Sequence, residues 1–303
     1  MKKTLLTSFI LLFTVFTVSA QRSDKFTGSL LWKISGNGLS QPSYILGTHH
    51  LASTSFTDSI TGLKVAMDQT QQVAGELELS NKLELQNRIM QVAMMPKEQS
   101  YQNLLSTTDY TILDEGLKNI FGAGLTQMGV LKPSIISMNL AVLAFSKAYP
   151  SIDLAKHISI DEYMQIKAKE ENKGVISLET VEDQIYALID SDPINVQAEQ
   201  LVCAISHFDF SVESLKELTT NYKKGELVEM YDFSFNNPKD PCPTSEESQL
   251  LLLAGRNNKW LEKLPQIMNE KPTLVVVGAL HLAGEEGLLF QLDKMGYKVE
   301  IVK

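Results

Sequence analysis

Short apolar runs near both ends of the chain enclose a long middle with helical periodicity. Apolar or alternating runs predict strands at 28–34, 42–46, 72–79, 174–178, 273–278 and 297–302. Apolar residues spaced i, i+3 and i+4 predict helices at 58–69, 81–95, 107–120, 134–148, 159–171, 244–260 and 284–295. We therefore expect an α/β (α+β) fold, with a mixed central sheet formed by the N- and C-terminal units and a large helical middle region.

Two nine-residue segments, one in each terminal unit, share the same pattern. Tyr-Ile-Leu-Gly-Thr-His-His-Leu-Ala at 44–52 returns as Val-Val-Val-Gly-Ala-Leu-His-Leu-Ala at 275–283. Each copy is a predicted strand followed by Gly-x-x-His, which places His50 and His281 after strand ends, where folds often carry reactive side chains. Histidine is both a metal ligand and a proton carrier near neutral pH. The repeat predicts one site built from both ends of the chain; the alternative is two histidines that only hydrogen-bond a loop.

Two glutamates fall on the predicted third strand of the first unit. Glu76 and Glu78 stand at i and i+2, so an extended chain would turn both side chains to the same face. A carboxylate near two histidines is a common ligand set for a hydrolytic metal. We expect Glu76 to be the functional one, the alternative being a solvated strand face.

Other charged residues and histidines are less distinctive. Arg256 lies in an apolar helical run and is predicted to pair with a site carboxylate or with substrate oxygens, unless it is a surface arginine. Glu179 follows a strand and begins a helix, where the helix dipole alone favours an acid. His49 is expected to point away from the site, and His157 and His207 are expected to be ordinary histidines. No nucleophile elbow, phosphate loop, dinucleotide fingerprint or His-Glu-x-x-His occurs.

The first twenty residues have the layout of a secretory signal peptide. Lys2 and Lys3 precede an apolar run that ends in Val18-Ser-Ala20, which predicts cleavage after Ala20 and a periplasmic or secreted protein. Residues 21–303 are then expected to form a single domain, with no further membrane span. Removing 1–20 changes the formal charge from −9 to −11, because two lysines and no acid are lost. This acidic balance argues against nucleic-acid partners.

The chain has two cysteines, Cys203 and Cys242. In an oxidising compartment they could pair and close a loop of about 39 residues. Otherwise Cys203 is a buried apolar residue of a helix and Cys242 is free in a proline-rich loop. Their spacing does not resemble a zinc ribbon.

Several separated motifs together resemble the TraB/PrgY/GumN family, which includes the animal Tiki proteins. The resemblance covers nearly all of the chain after the signal peptide and rests on the segments 44–50, 75–79, 159–161, 174–182, 256–260 and 277–284. It implies a fold related to erythromycin-esterase and ChaN-like proteins, with paired Gly-x-x-His motifs in one cleft. It also implies that His50, Glu76, Arg256 and His281 are the catalytic residues. Gly255, where the family often has an acid, and His49, where an apolar residue is usual, depart from its pattern.

These observations lead to one principal functional hypothesis and two alternatives. The principal one is a metal-dependent hydrolase, most simply a peptidase of peptide or protein substrates, with manganese, cobalt or zinc bound by His50, Glu76 and His281. The second is a non-catalytic protein of the same fold that binds haem or a peptide. The third is a metal-free hydrolase with His50 as general base.

Overall fold

A computed structural model of the chain describes residues 25–80 and 82–303. The predicted signal peptide, residues 1–20, lies outside the described residues. Within them the strands are β1 (Leu31–Ser35), β2 (Ser43–Thr48), β3 (Gln72–Gly75), β4 (Gly174–Ser177), β5 (Thr273–Gly278) and β6 (Lys298–Ile301).

All of these strands join one mixed sheet, in the order β4-β3-β5-β2-β1-β6. β4, β3, β5 and β2 are parallel, while β1 pairs antiparallel with both β2 and β6. The prediction of a mixed sheet built by the two ends of the chain is therefore confirmed, with one addition. β4 comes from the middle region and forms one edge of the sheet.

The middle of the chain is helical, as the periodicity predicts. In the described residues the α-helices are α1 (Leu63–Gln69), α2 (Lys82–Val92), α3 (Tyr101–Leu104), α4 (Thr107–Phe121), α5 (Leu125–Met128), α6 (Pro133–Ala148), α7 (Ile160–Glu170), α8 (Val181–Ile185), α9 (Ile194–Ser206), α10 (Phe208–Lys224), α11 (Leu227–Phe235), α12 (Glu246–Gln249), α13 (Gly255–Glu270) and α14 (Leu288–Lys294). Two π-helical turns, Tyr186–Asp190 and Leu250–Ala254, continue α8 and join α12 to α13. Among the helices described, none is long and apolar enough to cross a membrane.

The apolar interior of the described residues consists of two large clusters and a small one around Ile135 and Ile189. The strands pack with α1, α7, α13 and α14 around residues such as Ile45, Val275 and Trp260. A second core, which includes Leu113 and Leu201, lies among α3, α4, α6, α9 and α10. The helical region therefore has an interior of its own and contacts the sheet through a limited set of helices.

The third strand is shorter than its alternating pattern predicts. β3 ends at Gly75. Beyond it the side-chain amide of Gln165 hydrogen-bonds the backbone, donating to the Leu77 carbonyl at 2.7 Å and accepting from the Leu79 N–H at 2.8 Å. Glu76 and Glu78 consequently do not share a face, and that expectation was wrong. Glu76 is buried, whereas Glu78 is exposed and pairs with Lys169 at 2.8 Å.

Two predicted helices begin later than expected. The residues before α1 form a 3₁₀ turn (Thr54–Ser59), and Gly62 at φ 78° precedes the first helical residue, Leu63. The residues before α14 form turns up to Gly287. Cys203 and Cys242 are joined in a disulfide, which ties α9 to the loop that precedes α12.

Candidate functional site

The two Gly-x-x-His motifs lie side by side because β2 and β5 are neighbouring parallel strands. Gly47 is opposite Val277 and Thr48 is opposite Gly278 in the register. The carboxyl ends of both strands therefore open at the same edge of the sheet, the usual place for a ligand in such folds. His50 follows β2 by two residues, and His281 ends the 3₁₀ turn Ala279–His281 that follows β5.

Arg256 forms the centre of a buried ion-pair network at this edge. Its Nε and Nη2 donate to the two carboxylate oxygens of Glu179 at 3.0 and 2.7 Å. Nη2 also donates to Oε2 of Glu76 at 2.5 Å, and the Gly278 N–H donates to the other oxygen, Oε1, at 2.9 Å. Burial alone would raise the pKa of Glu76, but the positive charge of Arg256 and the Gly278 N–H lower it, and the resulting pKa is about 2. Glu76 is therefore a carboxylate at physiological pH.

His281 is fixed in one tautomer by Asn257, the residue that follows Arg256 in α13. The side-chain N–H₂ of Asn257 donates to the carbonyls of His281 and Glu286 at 3.1 and 2.8 Å, so its Oδ1 is the atom that faces His281 Nδ1 at 2.8 Å. Nδ1 must then carry the proton, and Nε2 keeps a lone pair. Burial lowers the pKa of His281 to about 3, and the nearby charge of Arg256 acts in the same direction. The imidazole is therefore neutral.

His50 is held by a different acid. Its Nδ1 lies 2.9 Å from Oδ2 of Asp161, whose other oxygen accepts from the Thr48 hydroxyl at 2.7 Å. The Asp161 carboxylate raises the pKa of His50 to about 9. Asp161 is buried, whereas 64% of the His50 side chain is exposed. The ring is therefore held at Nδ1 by a buried carboxylate while most of the side chain contacts solvent. Nε2 of His157 lies 2.9 Å from the His50 carbonyl oxygen and ties down the same residue.

The buried charges of the site do not balance. Glu76, Asp161 and Glu179 are buried carboxylates, and Arg256 is the one buried guanidinium among the described residues. Three negative charges against one positive leave an excess of two, counting both histidines as neutral. Buried charge of one sign requires a partner, which protonation of His50 or a bound cation could supply.

The side chains of the site offer donor atoms of kinds that divalent metals bind. Each histidine has its Nδ1 held by a side-chain oxygen, the arrangement that usually orients metal-bound histidines. Nε2 of His281 lies 3.9 Å from Oε1 of Glu76, and two ligands at about 2.1 Å from one ion can be that far apart.

Two features complicate the three-ligand arrangement expected from the sequence. Within the described part of the chain, the donor atoms of His50, Glu76 and His281 do not all lie within 4.8 Å of one another. Arg256 Nη1 also lies 3.1 Å from Nε2 of His281, so an ion at this nitrogen would compete with the guanidinium for the same lone pair. The cluster of Cys203, His207 and Cys242 gathers three donor atoms, but its two sulfurs are bonded to each other.

These side chains line one wall of a cavity of about 360 Å³. His50, Glu76, Arg256 and His281 are among its lining residues, together with further residues at the strand ends and apolar side chains from the helical region. His49 also reaches the cavity wall, with its ring packed against Tyr222 at 5.4 Å between centroids. Burial lowers the pKa of His49 to about 4.

The structure brings together all four residues selected from the sequence, and adds two that sequence reasoning missed as site residues. Ser159 accepts from the Glu162 N–H and begins α7, so a helix start alone accounts for an acid at position 161. Asn257 follows Arg256 directly. Both residues lie in segments that carry the family resemblance, 159–161 and 256–260, and that was the available indication of a role.

The chain belongs to the TraB/PrgY/gumN family, whose family model matches residues 30–301. No curated protein matches the chain, and no solved structure matches it.

Proposed function

We propose that this member of the TraB/PrgY/gumN family is a metal-dependent hydrolase of peptide bonds, active outside the cytoplasm. The observation that carries the proposal is the pairing of the two Gly-x-x-His motifs on adjacent strands, each histidine with its Nδ1 held by a side-chain oxygen. With His50 neutral, as a metal ligand must be, the buried carboxylates exceed the guanidinium by two charges, which supports a divalent cation as the compensating partner. The Cys203–Cys242 disulfide supports an oxidising compartment.

In this proposal His281, Glu76 and His50 hold the ion. A divalent ion bound there would polarise a substrate carbonyl and bring the pKa of water toward ~7. Asn257 keeps Nε2 of His281 unprotonated, and Gly278 and Arg256 keep Glu76 ionised. Asp161 orients the His50 ring at the open side of the cleft.

Arg256 supplies the fixed positive charge of the cleft. Two-point contact with Glu179 prevents the guanidinium from turning toward solvent, so it stays oriented before substrate arrives. A cation held in this way stabilises negative charge that develops on a carbonyl oxygen, because no reorganisation is needed during the reaction. Apolar side chains that line the same cavity lower the local polarity and strengthen that interaction.

A metal-free hydrolase is a second proposal, and one specific observation favours it. The His281 lone pair is already engaged by Arg256 Nη1 at 3.1 Å, and the Asp161 carboxylate raises the pKa of His50. His50 would then be protonated and could donate a proton from Nε2 to a leaving group. A fold related to erythromycin-esterase and ChaN-like proteins, which the sequence resemblance implies, is part of this proposal.

Cleavage of a mixture of quenched fluorescent peptides by the purified chain lacking residues 1–20 tests these proposals. Cleavage that is lost with a chelator, restored by manganese, cobalt or zinc, and absent in His281→Ala supports the metal-dependent enzyme. Cleavage that a chelator leaves unchanged supports the metal-free hydrolase. Absence of cleavage with every ion overturns both and favours the haem- or peptide-binding alternative.

A further inference from the structure

The cavity at the candidate site combines two kinds of lining. The charged network at the strand ends contributes polar groups, and four helical segments contribute apolar side chains. These apolar side chains, here called the apolar wall, are Leu188, Leu218, Met230, Phe235, Leu252 and Leu253.

The apolar wall is not simply the edge of the core. Met230 is buried, but the other five side chains are partly or largely open, and Leu188 is 41% exposed. Apolar side chains that converge on a cavity while remaining open to it commonly mark a binding surface. Here they line the same cavity as the charged groups, so the surface is continuous with the candidate site.

Both π-helical turns contribute to the apolar wall. Leu188 lies on the turn Tyr186–Asp190, and Leu252 and Leu253 lie on the turn Leu250–Ala254, which leads directly into Arg256. Such turns are rare and occur frequently at functional sites. The chain thus places apolar contacts and the cation of the cleft on one continuous helix.

The size of the cavity limits what it can enclose. A volume of about 360 Å³ is near the lower end of the ~300–1,000 Å³ range of ligand pockets. It has room for a compact group and not for an extended chain, so most of a peptide would remain outside. A small group would leave the space beside the apolar wall poorly filled. A charged group would place its charge against the apolar wall without a partner.

We propose that the apolar wall is a specificity subsite that binds one large apolar side chain of the peptide substrate, next to the bond presented to Arg256 and the two histidines. The assignment rests on the proposed hydrolase function and adds the class of substrate. The enzyme should therefore prefer leucine, phenylalanine or methionine at that position over alanine, serine or aspartate.

The chain offers a matched pair of substitutions for the test. Leu188 lines the cavity, whereas Leu250 lies on the other π-helical turn and does not line it; they are 41% and 56% exposed. Because both are exposed, Leu188→Asp and Leu250→Asp should fold equally well. Peptides that differ only at one position, as Leu, Ala, Asp or Lys, are compared for cleavage and, by calorimetry, for equilibrium binding.

We expect the wild type and Leu250→Asp to prefer the leucine peptide over the alanine peptide by at least about tenfold in kcat/KM. Leu188→Asp should lose most of this preference and gain relative activity on the lysine peptide. Cleavage without an apolar preference, or a preference that Leu188→Asp retains, overturns the subsite. Apolar-selective binding that Leu188→Asp abolishes, with no cleavage, upholds the subsite and overturns only the hydrolase. Neither binding nor cleavage overturns both.

Discussion

Arg256 and Glu179 are 77 residues apart in the chain and meet in a two-point ion pair, with Nε and Nη2 at 3.0 and 2.7 Å from the carboxylate oxygens. Glu179 follows strand β4 at the edge of the sheet, and Arg256 lies in the first turn of α13. The pair therefore connects the sheet edge to the helix that also carries Asn257. Two-point guanidinium–carboxylate contacts fix orientation as well as distance.

Replacing Arg256 should destabilise the fold strongly. Arg256→Met leaves Glu76 and Glu179 buried without their cation, and we expect the free energy of unfolding to fall by about 3–5 kcal/mol. Lys259→Met is the control, because Lys259 lies on the same helix and pairs with Asp183 with 59% of its side chain exposed. Urea denaturation should show a loss of at most about 1 kcal/mol for that variant. Similar losses in both variants would mean that the buried pair contributes no special stability.

Asn257 should affect function more than stability of the overall fold. Asn257→Ala removes the acceptor that holds the proton on His281 Nδ1, and we expect activity or ion affinity to fall about 10–100-fold. The adjacent Asn258 is exposed, which makes Asn258→Ala a matched control that should behave as wild type. Nitrogen chemical shifts of His281 should report protonated Nδ1 in the wild type and mixed tautomers in Asn257→Ala. An unchanged tautomer in that variant would contradict the positioning role.

Much of the fold could be predicted from the sequence, because the signals are local. The strand Thr273–Gly278 has the predicted bounds, and the α4 and α6 helices agree to within one residue. The duplicated Gly-x-x-His pattern pointed to the candidate site. The two strands that carry it pair in parallel, so the residues that follow them lie close together.

The remaining features depend on contacts distant in sequence. β3 ends early because Gln165, almost ninety residues further on, binds the backbone after it. Asp161 has the same local sequence signal as a solvated capping acid, and only tertiary packing buries it beside His50. The π-helical turns also have no recognised sequence pattern. One extra residue in a helix changes the spacing of the apolar residues too little to be detected.

Asp183 predicts a pH dependence of stability away from the cleft. Its carboxylate accepts from Lys259 Nζ at 2.6 Å and from the Thr180 hydroxyl at 2.7 Å, and these bonds lower its pKa below the usual value. A depressed carboxyl pKa stabilises the folded state above the ordinary value of about 4, and this stabilisation is lost as pH falls below it. Asp183→Asn should cost about 1 kcal/mol at pH 7 and progressively less toward pH 2. Denaturant titrations at several pH values measure this, and a constant difference would contradict it.

The disulfide should contribute measurably to stability. Cys203 and Cys242 are 39 residues apart, and closing a loop of that length stabilises the fold by about 4 kcal/mol in the chain-entropy estimate. We expect a reductant to lower the melting temperature of the wild type, with no effect on a Cys203→Ser, Cys242→Ser double variant. A wild-type melting curve that does not respond to complete reduction would show that the bridge adds no stability.

The central claim is that the two Gly-x-x-His motifs form one site for one divalent ion. It is tested most directly by the metal content of the chelator-stripped, tag-free chain after incubation with manganese, cobalt or zinc and removal of free ion. We predict about one tightly held ion per chain in the wild type and in His207→Ala, whose histidine lies at the disulfide, and loss of that ion in both His50→Ala and His281→Ala. No retained ion in the wild type, or an ion that survives in either cleft variant, would contradict the shared metal site.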